Sequence, residues 1–289
     1  MNFSTPLISA EALQNLISQG RSPVLLDCGF DLADPQAGER AYAAAHLPGA
    51  HYAHLDRDLS GVSTGAGGRS LGRGRHPLPE RAALAAAAGR WSIAPGAPVV
   101  TYDAQGSPYA ARAWWLLRWL GHAEVAVLDG GLAAWKAAGG GLSTAAAAPS
   151  GAAPYPAQPP AMPTIDVTAL QARLGRVRIL DARAPERFRG EVEPLDPVAG
   201  HIPGAANRLF KLNLQADGRF KPAAELRAEF DRQVSFGSLA AGVVHQCGSG
   251  VTACHNLLAM AHAGLEGSVL YPGSWSEWCA DPARPVARG

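Results

Sequence analysis

Cysteine is scarce in this chain. Cys28, Cys247, Cys254 and Cys279 are scattered through 289 residues. That is too few for a disulfide scaffold, and it suits a reducing cytoplasm. Net charge is also scarce: 25 basic residues oppose 24 acidic ones, for a formal charge of +1. This balance argues against nucleic acid or a membrane surface as a partner. No apolar run reaches membrane-spanning length. Met1 to Ala10 has neither the basic start nor the apolar core of a signal peptide. Hydrophobic residues make up 47% of the chain and charged residues 17%. A packed globular protein is expected, long enough for two domains of ordinary size.

The chain repeats itself once. Leu25-Leu26-Asp27 recurs as Ile179-Leu180-Asp181, and His46-Leu47-Pro48-Gly49-Ala50 as His201-Ile202-Pro203-Gly204-Ala205. Val99-Val100 recurs as Val243-Val244, and Gly131 with Trp135 as Gly273 with Trp278. The nearly constant spacing, with one change of length, predicts two similar domains. Short apolar runs alternating with helical stretches predict an α/β fold. The expected division is a first domain over 1–144, a Pro- and Ala-rich extended linker over 145–163, and a second domain over 164–289. His46 and His201, at equivalent places in the repeat, are expected to serve one packing role twice. Trp114, Trp115 and Trp119 are expected to pack rather than hold a cofactor.

Val243 to Gln246 reads as the end of a buried strand, and Ala253 to Ala263 as a helix. Between them runs Cys247-Gly248-Ser249-Gly250-Val251-Thr252. The two glycines allow a tight curl whose N–H groups point inward, and a helix N-terminus closes it. Such a loop is an anion cradle, and a thiol at its mouth is expected to favour its thiolate form. Cys247 is therefore the candidate nucleophile. The equivalent position in the first repeat is Asp103, which cannot carry sulfur.

Cys-Gly-Ser-Gly-Val-Thr-Ala, with its strand and helix, resembles the active-site loop of the rhodanese superfamily, and within it the mercaptopyruvate sulfurtransferase branch. The resemblance extends over nearly the whole chain. It implies two tandem rhodanese-like domains, each a central parallel sheet flanked by helices, the first non-catalytic and the second catalytic. It also implies a sulfurtransferase that moves a sulfane sulfur from a small anionic donor, through a Cys247 persulfide, to cyanide or to a thiol acceptor such as thioredoxin. No metal or organic cofactor is implied. By the same resemblance Gly248, Ser249, Gly250, Val251 and Thr252 wrap the sulfur. Ser249, His76 and Asp56 (with Asp58 as its rival) join the catalytic group. Arg187, the first basic residue of Arg-Phe-Arg-Gly, grips the anionic end of the donor. Arg183 is the candidate structural ion pair and Arg189 a surface charge.

One position departs from the pattern. A second arginine of the mercaptopyruvate branch, in a Glu-Pro-Arg context, is Leu195 here. The uncharged loop residues Gly248 and Ser249 favour mercaptopyruvate. Thiosulfate, to which the missing arginine gives weight, is the alternative donor. The other arginines of the Gly- and Arg-rich segment, Arg69, Arg73 and Arg75, read as a solvated loop. A phosphatase of similar fold needs an arginine where Ala253 stands. A non-catalytic sulfur-carrier or binding module is opposed by the retained Cys247. Zinc on Cys247, Cys254, His255 and Cys279 lacks metal-ligand spacing, and Cys254 is expected to pack into the core.

Overall fold

The computed structural model describes residues 3–64, 72–148, 151, 153–234 and 242–289. Arg69 and part of the linker, both weighed above, lie outside them. The chain forms two compact units. The first comprises Met1–Ser60, Pro79–Ala161 and Leu214–Phe220; the second comprises Gly61–Leu78, Met162–Asn213 and Lys221–Gly289. Each unit therefore includes a short excursion from the other half of the sequence.

The first unit is built on a wholly parallel sheet of β1 (Leu7–Ile8), β2 (Val24–Asp27), β3 (His51–Tyr52), β4 (Val99–Tyr102) and β5 (Val125–Leu128), in the order β1-β5-β4-β2-β3. β4 and β5 are buried along their full length, as strands covered on both faces must be. Helices α1 (Ala10–Ser18), α2 (Ala37–Ala44), α3 (Arg81–Arg90), α4 (Pro108–Leu120) and α5 (Gly131–Ala137) flank the sheet. Ser9 caps α1, its hydroxyl accepting the Ala12 N–H at 3.2 Å. Trp114 and Trp115 are buried in α4, and Trp119 stacks on Trp115 with ring centroids 6.0 Å apart.

Among the described residues the second unit repeats the plan with four parallel strands. These are β6 (Arg178–Asp181), β7 (Ala206–Asn207), β8 (Val243–Gln246) and β9 (Val269–Leu270), in the order β7-β6-β8-β9. Its helices are α6 (Val167–Gln171), α7 (Pro185–Arg189), α8 (Ala223–Gln233), α9 (Thr252–His262) and α10 (Ser274–Trp278). Ile179, Val244, Tyr271, Trp275 and Trp278 form the centre of its core.

The two histidines of the repeated block do equivalent work. His46 meets the Tyr42 carbonyl through Nδ1 at 2.6 Å and stacks on the Tyr42 ring. His201 meets the Phe188 carbonyl through Nδ1 at 2.8 Å and stacks on the Phe188 ring. Among its described residues the linker forms neither helix nor strand. It is nevertheless tied down in the first unit, where the Tyr155 N–H donates to Ala85 O at 2.9 Å and the ring is buried. The C-terminal tail, Asp281 to Gly289, is also tied down. It bridges antiparallel to His201 through Ala287, and the Trp278 indole donates to Pro285 O at 2.9 Å.

Asp103, directly after β4, fills its own cradle. Its Oδ1 accepts the N–H groups of Gln105 and Ser107 at 2.9 and 2.8 Å, and its Oδ2 those of Tyr109 and Ala110, both at 3.0 Å. Burial pushes this carboxyl above the usual carboxylate range, and the four N–H groups oppose that rise. The loop of the first unit is thus an anion site occupied by a side chain of the protein itself.

Candidate active site

In the second unit Cys247 directly follows β8, at the carboxyl end of a strand flanked by β6 and β9. This end of a parallel sheet is where α/β folds build their sites. Cys247 is 2% exposed. The Gly250 N–H donates to its Sγ at 3.1 Å. Gly250 has φ +79°, and a side chain there would overlap the Pro272 carbonyl oxygen. Only glycine lets the loop turn back so closely on the sulfur. Val251 ends the loop, and Thr252 opens α9.

The start of α10 braces the loop from behind. The Cys247 N–H donates to Ser274 Oγ at 3.1 Å, and the Ser274 hydroxyl donates on to Tyr271 O at 3.0 Å. The Trp275 and Ser276 N–H groups donate to the carbonyls of Cys247 and Gly248 at 3.0 and 2.9 Å. Ser274 adopts φ +54°, a left-handed conformation unusual for a non-glycine. Cys254 lies beneath the loop, its thiol donating to Gly250 O at 3.3 Å. It packs in the core as expected.

Ser249 and His76 are brought together. Nδ1 of His76 stands 2.7 Å from Ser249 Oγ, and both residues are 7% exposed. Asp56 belongs to the first unit, in the turn after β3, where its N–H donates to His54 Nδ1 at 3.1 Å. Its rival Asp58 is engaged there by the His54 N–H at 3.0 Å and by Arg90 at 2.9 Å.

Three guanidinium groups, of Arg75, Arg183 and Arg187, pair with three carboxylates, of Asp181, Glu193 and Asp196. Arg183 pairs with Asp181 at 2.7 Å, both fully buried, and lies over the Trp275 ring at 4.8 Å. This is the structural ion pair expected of it. Arg189 pairs with Glu191 in the open, as a surface charge. Arg187 holds Glu193 at 2.6 Å and Asp196 at 3.3 Å. Arg75, assigned from sequence to a solvated loop, instead pairs with the other oxygen of Asp196. Burial pushes the Asp196 carboxyl up, while Arg75 and Arg187 act against the rise. A Cβ placed on Gly248 would stand 2.9 Å from Arg75 Nη2 and 3.6 and 3.7 Å from Arg187 Nη1 and Nη2. Leu195 is half exposed. Among the described residues, no three His, Cys, Asp or Glu side chains gather into a metal-binding group. No helix of the described residues is long and apolar enough to cross a membrane.

Ser274 and Arg75 were missed by sequence reasoning. The only signals were position: Ser274 follows the glycine after β9, and Arg75 precedes His76.

A family model described as "Rhodanese-like domain" matches residues 9–138 and again 166–281. A Pseudomonas aeruginosa protein named "Probable 3-mercaptopyruvate sulfurtransferase" is 49% identical over 99% of both chains. A Mycobacterium tuberculosis protein named "Putative thiosulfate sulfurtransferase SseB" is 43% identical over 98% of this chain and 97% of its own. The solved structure of the "3-mercaptopyruvate sulfurtransferase from Leishmania major" superposes with a TM-score of 0.82 at 29% identity, over 96% of this chain and 74% of that one. The chain belongs to the rhodanese superfamily, as a tandem-domain sulfurtransferase. Within that superfamily it falls in the branch to which the Pseudomonas and Leishmania proteins give their name.

Proposed function

We propose that the chain transfers sulfur from 3-mercaptopyruvate to cyanide or a thiol, through a persulfide on Cys247. The observation that carries this reading is the convergence on one loop of a buried cysteine sulfur, an N–H aimed at it, a serine–histidine pair and two cations.

Sγ of Cys247, as thiolate, attacks the sulfur of mercaptopyruvate. The S–S bond forms as the C–S bond breaks, and its electron pair leaves on the pyruvate enolate. Arg187 holds the donor's carboxylate. The Gly250 N–H, with the other backbone donors of residues 248 to 252, stabilises negative charge on the attacking sulfur and then on the persulfide. The enolate must gain a proton to become pyruvate. Ser249 delivers it, with His76 behind it to replace the proton, the two side chains meeting at 2.7 Å. In the second half of the cycle cyanide or a thiol attacks the outer sulfur and restores the Cys247 thiolate. A protein thiol such as thioredoxin fits a cytoplasmic setting, to which the four free cysteines are suited.

The test is kcat/KM for mercaptopyruvate and for thiosulfate, measured side by side with cyanide as acceptor. The expected result is a large preference for mercaptopyruvate. A preference for thiosulfate would overturn the choice of donor.

A further inference from the structure

We infer that Arg75 is a donor-binding residue, forming with Arg187 a two-guanidinium clamp for the donor's carboxylate. The inference rests on the donor proposed above.

The first observation is where the two cations lie. Gly248 follows the nucleophile directly, and a Cβ there would meet Arg75 Nη2 at 2.9 Å and touch Arg187 Nη1 at 3.6 Å. The two guanidinium groups therefore cover the same face of the residue next to Cys247. An anion whose sulfur reaches Cys247 Sγ extends its other end past them.

The second observation is how they are held. Asp196 receives both, Arg75 on Oδ1 and Arg187 on Oδ2. Its side chain is 3% exposed, while those of Arg75 and Arg187 are 30% and 17% exposed. Glu193, which also grips Arg187, is 4% exposed. Asp196 and Glu193 thus sit inside and Arg75 and Arg187 outside, so these two cations are turned to solvent. A guanidinium has five N–H donors in a planar fork, so pairing with Asp196 leaves each arginine further donors. Asp196 works as a spacer, setting two forks side by side as a carboxylate of the donor requires.

The third observation is charge. Arg75, Arg183 and Arg187 face Asp181, Glu193 and Asp196 in one cluster. Deleting Arg75 leaves the cluster with a net negative charge beside the loop, and a buried Asp196 with one cation fewer. Both effects oppose an anionic donor. Position 195 is Leu and supplies no compensating cation.

In a double-displacement reaction kcat/KM for each substrate reports its own half-reaction. Arg75→Ala is expected to lower kcat/KM for mercaptopyruvate about 10- to 100-fold, the range for one charge-assisted hydrogen bond. The value for cyanide should stay unchanged, because the persulfide step does not use the clamp. The inhibition constant of pyruvate, which keeps the carboxylate, should rise with it. An unchanged mercaptopyruvate value overturns the inference. So does a parallel fall in both values, which marks a structural role. Where Arg75→Ala does not fold, Arg75→Lys keeps the charge without the fork, and the same divergence between donor and acceptor decides. A wild-type protein that forms no persulfide from mercaptopyruvate contradicts the donor assignment itself, an outcome distinct from an active wild type with an indifferent Arg75.

Discussion

His76 Nδ1 lies 2.7 Å from Ser249 Oγ across 173 residues of sequence, and both side chains are buried. In the proposed mechanism this pair relays a proton, which only a donor that leaves as an enolate needs. Ser249→Ala and His76→Asn are therefore expected to lower kcat with mercaptopyruvate about 100-fold while affecting thiosulfate turnover far less. Steady-state rates with the two donors check this. Equal losses with both would remove the relay from the mechanism.

Gly250 combines φ +79° with a Cα facing the Pro272 carbonyl. Gly250→Ala forces a left-handed alanine against backbone, which costs about 2 kcal/mol or more. The loop is expected to open, withdrawing the N–H that now meets Cys247 Sγ at 3.1 Å. Urea unfolding should show the loss of stability, and stopped-flow persulfide formation the loss of rate.

Asp103 satisfies four backbone N–H groups in the first unit. Asp103→Ala leaves that cradle without its anion and is expected to lower stability by about 2–4 kcal/mol. It should leave kcat per folded molecule unchanged. Denaturant unfolding together with turnover separates the two effects, and a large fall in kcat at full folding would contradict the structural role.

His245 is fully buried in β8, with Nε2 on the Met260 sulfur at 3.0 Å. Burial, joined by the charge of Arg208, holds its pKa down at about 3 against an ordinary 6.5. Between these values the unfolded chain binds a proton that the folded chain refuses. Its contribution to stability is full above pH 6.5 and falls by about 1.4 kcal/mol per pH unit below it. Buried carboxyls with raised pKa, such as Glu277, act in the opposite sense, so the comparison must be differential. His245→Leu should be more stable relative to wild type at pH 5 than at pH 7.5, as urea unfolding at the two values would show.

Much of the fold was legible because it is written in local patterns. Val243 to Gln246 carries a buried strand, and Cys247 to Thr252 carries a turn that its glycines permit. The repeated His-x-Pro-Gly-Ala block announced both units, and in each its histidine takes the same carbonyl-and-ring environment. The parts that were not legible depend on long-range placement. Arg75 reads as one more charge in a Gly- and Arg-rich run until residues 61–78 are seen to belong to the second unit. The segment Leu214–Phe220 makes the reverse excursion, fixed in the first unit by the Phe220 N–H on Asp129 at 2.8 Å. The tail's backbone pairing with His201 has no sequence signature.

In the proposed mechanism Cys247 carries the transferred sulfur. The protein should be incubated with mercaptopyruvate in the absence of an acceptor, and its peptides weighed. The expected result is one added sulfur atom on Cys247, one pyruvate released per chain, removal of the sulfur by cyanide, and no addition in Cys247→Ser. Sulfur on Cys28, Cys254 or Cys279 instead, or full turnover in Cys247→Ser, would contradict it.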